Sequence, residues 1–153
     1  MSSGLFLFLI AGERHAVPAD AVLEVTRAVA PAPLPGAPSS IVGVVDRRGT
    51  VVPVLDCRRR FGHESRPVRL SDNLVFVSAG PRELALLVDQ AVELAPLPEG
   101  ALVHAASFVT HAGTLAGVAR IDGLVFVHDL AAFLAQAEGE RLDAALDARE
   151  DAA

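Results

Sequence analysis

Five histidines, one cysteine and four strand-ending aspartates are the residues whose chemistry comes first into question. Asp46, Asp56, Asp89 and Asp129 each close an apolar run, a position from which a carboxylate can act as general acid or base. The same position is where an aspartate caps a turn or a helix. No serine stands in a nucleophile elbow, no glycine-rich loop offers a phosphate cradle, and Ser71, Ser78 and Ser107 lack a supporting neighbourhood. Capping is therefore the expected role of the four aspartates. His15, His63, His104, His111 and His128 are scattered, without the paired spacing of a zinc motif. His104 and His111 find no further ligands nearby, so satisfied or exposed imidazoles are expected rather than a metal centre. Cys57 precedes three arginines that could lower its pKa, although packing is the commoner fate of such a thiol. On these grounds no catalytic residue, metal or cofactor is expected.

The chain that must position these groups has 153 residues, enough for one core or for two small barrels sharing one. It is 52% hydrophobic but only 5% aromatic, all Phe, so its core is built from Val, Leu, Ile and Ala. A net charge of -6 argues against a nucleic-acid protein, which would have to neutralise a phosphate backbone. The charge is uneven: seven of the 13 basic residues lie between Arg47 and Arg69, and the stretch 138–153 is predominantly acidic. A solvated basic face and a solubilising tail account for both. The single cysteine fits a reducing compartment. Leu5 to Ala11 is apolar, but no basic residue precedes it and Glu13-Arg14 follow, so it reads as a first strand rather than a signal segment. No run approaches the ~20 apolar residues of a membrane helix.

Short apolar runs separated by turn residues predict a strand-rich chain. Leu5 to Ile10 leads through Gly12-Glu13 to His15–Val17; a helical turn at Pro18 to Ala21 precedes a half-buried strand within Ala21 to Val29. Pro31, Pro33, Pro35 and Pro38 mark a connecting loop. Ile41 to Val45 and Thr50 to Leu55 form the clearest hairpin, with Gly49 able to take the positive φ of a three- or four-residue turn and Pro53 at an edge or bulge. Arg58 to Gly62 suggests one helical turn, and His63 to Asp72 an exposed loop whose arginines need no ligand. Leu74–Val77, Leu84–Val88 and Ala91–Leu94 follow as strands. Thr114–Ile121 and Leu124–Val127 pair across Asp122-Gly123, and Leu130, Phe133 and Leu134 recur at helical spacing behind Asp129. Leu142 and Leu146 extend that spacing weakly, and Ala101 to Gly113 carries little signal. Many short strands and one terminal helix favour an all-β barrel architecture over a βαβ layout.

What stands out is the hairpin turn. An arginine on a stiff turn can pair its planar fork with a carboxylate or with carbonyls while its stem packs on apolar surface. On spacing alone, an ordinary solvated turn arginine is the better reading of Arg48.

Several blocks in order tip that balance. Val22-Leu23-Glu24-Val25 is an aliphatic-x-Glu-Val segment, and Leu34-Pro35-Gly36-Ala37-Pro38 a Leu-Pro-x-x-Pro loop. Gly43 to Asp56 follows the pattern Gly, two aliphatics, Asn or Asp, x, Arg-Gly, x, two aliphatics, Pro, two aliphatics, Asp. Val88-Asp89 and Gly117 through Asp129-Leu130 complete the series, and from about Leu5 to Leu134 the chain resembles the CheW family of chemotaxis coupling proteins. The resemblance implies an all-β fold of two small five-stranded SH3-like β-barrels packed around a shared core, with a short C-terminal α-helix. Residues 1–137 would be the CheW-like domain and 138–153 an acidic tail, helical or disordered. It further implies a cytoplasmic, non-enzymatic adaptor joining the cytoplasmic tip of a methyl-accepting chemoreceptor to the regulatory domain of a CheA-type histidine kinase. Carried over by motif, the protein-binding residues are Val22, Glu24, Gly43, Arg48 and Gly49, with Gly43 letting a partner helix approach the strand. Arg47 departs from the family, which usually has an aliphatic residue there; Ala85 and Ala91 also depart, at positions of a common Gly and of a larger aliphatic. A scaffold of a non-motility pathway, an array filler without kinase contact, and a small β-barrel enzyme using Asp46 or Asp89 are the competing expectations.

Overall fold

Runs of Val, Leu, Ile and Phe, broken at short turns, become eleven strands over residues 4–105 and 115–135, the residues described by the computed structural model. A six-stranded sheet is built from β1 (Gly4–Ile10), β2 (Glu13–Pro18), β8 (Gln90–Pro96), β9 (Leu102–His104), β10 (Leu115–Arg120) and β11 (Leu124–His128), in the order β8-β1-β2-β11-β10-β9. A five-stranded sheet takes β3 (Val22–Arg27), β4 (Ile41–Arg47), β5 (Thr50–Asp56), β6 (Asn73–Ala79) and β7 (Arg82–Val88), in the order β3-β6-β7-β5-β4. The middle of the chain therefore forms one lobe, inserted into an outer lobe made from the segments on either side. Most pairs are antiparallel, but β11 lies parallel to β2 and β5 parallel to β7.

The two-barrel, shared-core expectation describes this layout well. Phe6, Phe8, Ile10 and Val17 of the outer lobe pack with Leu55, Val75, Val77, Leu84 and Leu86 of the middle lobe in one cluster. Each lobe also has its own cluster, around Leu7, Ala16, Val125 and Val127 in one and Val52, Val54, Phe76 and Ala85 in the other. The outer sheet has six strands rather than five because β9, within the stretch that carried little sequence signal, adds to β10.

Local chemistry sets the ends of elements. Asp56 caps α1 (Cys57–Arg60), its Oδ1 accepting from the Arg58 amide at 3.1 Å, and Asp129 Oδ1 accepts from the Ala131 amide at 3.0 Å at the start of α2 (Leu130–Ala135). Leu130 anchors α2 in the shared core. Pro53 pairs with Val44, whose own N–H and C=O turn away to Ala32 at 2.7 and 2.9 Å. β5 lies between β7 and β4, so Pro53 is neither on an edge strand nor at a bulge as expected; it is tolerated because β5 meets β7 only from Val54 onward and the missing donor removes no ladder bond. The helical turn near residue 20 is a 3-10 turn, Ala19–Ala21. Expectations for His111, Ser107, the side chains of Phe133 and Leu134, and the stretch 138–153 with Leu142 and Leu146 lie outside the described residues. Among the described residues no helix is long and apolar enough to cross a membrane.

Candidate partner-binding site

The β4–β5 hairpin closes more tightly than expected. Arg47 pairs with Thr50, leaving a loop of two residues, Arg48 with φ 52° and Gly49 with φ 89°. Positive φ at both central residues is the signature of the type I′ turn, whose twist matches that of the flanking strands and which prefers Asn, Asp or Gly. Gly49 takes this conformation without penalty, and its amide donates to Asp46 Oδ1 at 2.9 Å. Arg48 does not share that freedom: an L-residue with a Cβ loses about 1–2 kcal/mol in the left-handed region. The turn thus holds an arginine where the backbone would favour another residue, with 80% of its side chain exposed.

The five-stranded sheet curls so that its two edge strands approach each other. Glu24 on β3 receives Arg48 Nη2 at 3.4 Å, while Arg47 Nε stands 3.9 Å from its other oxygen. Arg47 is half-buried: its Nη1 donates to Glu83 Oε1 on β7 at 2.7 Å, and its guanidinium lies 5.7 Å from the centroid of the Phe76 ring. The result is an open cleft of about 300 Å³, lined by the buried Leu74 and Phe76 and by Glu24, Arg27, Val29, Arg47 and Arg48.

Two of the five residues named from sequence, Glu24 and Arg48, line this cleft; Gly49 completes the turn beside Arg48, and Val22 and Gly43 lie elsewhere. Val22 starts β3 and packs against the shared core. Gly43 meets a need within the chain itself, which the sequence reading did not anticipate. A Cβ on Gly43 would collide with the Ala32 carbonyl and come within 2.9 Å of the Pro31 Cβ, because the proline segment runs along β4 and Ala32 bridges to Val44. Sequence reading missed Glu83, which no local signal marks. It also missed the outward face of β3, where Leu23 and Val25 stand exposed beside Val29; their alternation with Val22, Glu24 and Thr26 was the available signal.

The groups first considered for chemistry are otherwise engaged. Asp89 Oδ2 accepts from the Ala11 amide at 2.7 Å and from Arg58 at 2.5 Å, and its Oδ1 accepts from Arg66 at 3.1 Å. Asp56 Oδ2 accepts from Ser65 Oγ at 2.8 Å. Arg66 departs from the solvated reading of its loop: it is half-buried and bidentate to the buried Asp72, with both bonds 2.8 Å. Burial pushes the Asp72 carboxyl up, but the Arg66 fork and the Arg69 amide outweigh it and hold the group below the usual carboxylate range. Cys57 is fully buried; burial, then Asp56 and Asp89, push its thiol well up, which overturns a lowered pKa from the neighbouring arginines. Among the described residues no group of three or more His, Cys, Asp or Glu is placed to hold a metal ion.

Compared with known proteins, residues 4–138 match the family described as CheW-like domain. Protein FrzA of Myxococcus xanthus is 50% identical over 93 residues, 61% of this chain and 58% of that protein. Chemotaxis protein CheW of Bacillus subtilis is 24% identical over 101 residues, 66% of this chain and 65% of that one. The match thus spans less than two thirds of either relative. Among solved structures, the scaffolding protein TtCheW from Thermoanaerobacter tengcongensis is similar with a TM-score of 0.76 at 25% identity, covering 84% of this chain and 89% of that one.

Proposed function

The chain belongs to the CheW-like domain family, and from that premise we propose that it is a cytoplasmic, non-catalytic adaptor coupling the tip of a chemoreceptor to the regulatory domain of a CheA-type histidine kinase. The observation that carries the reading is Arg48, held in a disfavoured backbone conformation and presented to solvent at the mouth of an apolar-floored cleft. A helical partner fits there in two parts. Its apolar residues meet Val29 at the rim of the cleft above Leu74 and Phe76, and a carboxylate or a helix-terminal carbonyl takes the Arg48 fork. When Arg48 turns to the partner, Arg47 remains near Glu24, so that the acid does not lose all its positive neighbours. Val22 and Gly43 act indirectly in this reading, by fixing β3 on the core and the proline segment on β4.

A coupling free energy of ~1–3 kcal/mol is enough for such an adaptor to bias a kinase between two states. A hydrolytic role for Asp46 or Asp89 has little support, since both carboxylates already accept backbone or arginine hydrogen bonds. A second reading keeps the adaptor role with a partner set outside chemotaxis, since FrzA, with the higher identity, is not named a chemotaxis protein as the CheW relatives are. Pull-down and array reconstitution with the CheA-type kinases and receptor tips of the same genome test both. Binding of a kinase and a receptor is expected, their identity separates the two readings, and capture of neither by the folded protein refutes the proposal.

A further inference from the structure

Two histidines are buried, and they meet. His15 on β2 and His128 on β11 are 4% and 5% exposed, and His15 Nδ1 lies 2.8 Å from His128 Nε2. At that distance one nitrogen donates and the other accepts, so the contact tolerates at most one charged ring. The Phe61 ring at the end of α1 lies nearly parallel to both, its centroid 4.7 Å from His15 and 4.4 Å from His128. Two residues further on, His63 Nε2 lies 2.9 Å from Glu13 Oε1, and the same oxygen is 3.5 Å from His15 Nε2. Side chains of β2 and β11 in the outer lobe thereby clasp the segment that leaves α1 in the middle lobe. We infer that this cluster is a proton-sensitive latch between the lobes, shut while the buried imidazoles are neutral and released when they take up protons in mild acid.

The surroundings favour the neutral rings. Phe8, Phe61 and Phe126 flank His15, and Arg60 is the cation nearest to His128 in electrostatic effect. Glu13 is the acid facing the pair, and it is shared with His63. Burial lowers the His15 pKa against the pull of Glu13, and burial, then His15 and Arg60, push His128 down to about 3. The shut form thus binds fewer protons than the open one, whose histidines titrate near 6.5. Its stability is complete above that pH and is lost as pH falls towards the folded value. Glu13 acts in a lower window: held down chiefly by its His63 hydrogen bond, it contributes above its ordinary value of 4.5 and is lost below it.

Hydrogen exchange on the full chain reads the latch directly, through the amides of Phe61 and His63, which donate to Cys57 O at 3.0 Å and Arg58 O at 2.7 Å. One histidine silent in the shut form raises the opening constant roughly 25-fold between pH 7 and pH 5. Protection at these two amides, corrected for intrinsic exchange, should fall by that factor. In His128→Gln, whose amide keeps a hydrogen-bonding atom near Nε2 but takes no proton, most of the fall should vanish. Unchanged protection in the wild type, or the same fall in His128→Gln, overturns the proposal. If His128→Gln does not fold, the wild type decides alone: a His128 ring titrating near 6.5 in the shut protein is equally fatal.

Discussion

The left-handed conformation of Arg48 can be separated from its charge by comparing Arg48→Ala with Arg48→Asn. Both variants lose the guanidinium and its 3.4 Å contact with Glu24. With 80% of the Arg48 side chain exposed, that contact contributes at most about 1 kcal/mol, and it cancels between the two variants. What differs is the backbone at φ 52°. Alanine keeps the Cβ clash, whereas asparagine relieves much of it through local hydrogen bonding, so Arg48→Asn should be the more stable by ~0.5–1 kcal/mol. For a chain of this size that difference is roughly 1–4 °C in Tm. With no Trp or Tyr in the sequence, far-UV circular dichroism during heating or urea unfolding is the natural probe. Both variants should lose receptor binding to the same degree. Equal stabilities would mean that the turn stores no strain at this position. A stabilised Arg48→Asn that binds like the wild type would remove the arginine from recognition.

Three further outcomes follow from packing and charge. Gly43→Ala drives a methyl group into the Ala32 carbonyl and should cost about 1–3 kcal/mol in urea unfolding; a fully stable variant that has lost binding would instead favour direct partner approach at Gly43. Arg66→Ala strands the buried Asp72 and should cost about 2–3 kcal/mol, less than a wholly buried pair because Arg66 keeps some exposure. The Asp72 pKa is held below its ordinary 3.8, so its contribution is present above that value and lost as pH falls through the folded one; stability-versus-pH curves of wild type and Arg66→Ala should converge in strong acid. Cys57 should react with a thiol reagent at the rate of unfolding in native buffer and quickly in denaturant; fast labelling of the native protein would contradict its burial.

Features carried by adjacent residues were legible before the structure. The apolar run of β1, the hairpin around Arg48-Gly49 and the capping roles of Asp46, Asp56 and Asp129 all rest on contacts within a few positions. Hidden features were those in which distant strands supply the two halves. Glu24 reaches Arg48 only because the sheet curls, Glu83 finds Arg47 across it, and His15 meets His128 through a parallel pairing of segments from opposite ends of the described chain. Gly43 shows the same limit in another way. Its need for space was readable, but the occupant of that space, the Pro31–Ala32 backbone, was not.

The insertion of the middle lobe between β2 and β8 also sets an order of events during synthesis. Strands β3 to β7 can all pair once residue 88 has left the ribosome, but β1 and β2 must wait for β8 on one flank and for β11 on the other. Until then the β1–β2 hairpin would present Leu5 and Leu7 on one face and two raw strand edges. The nascent protein is therefore most exposed to aggregation after its middle has folded, and completion of the outer lobe, which has the largest sequence separations, is the expected slow step.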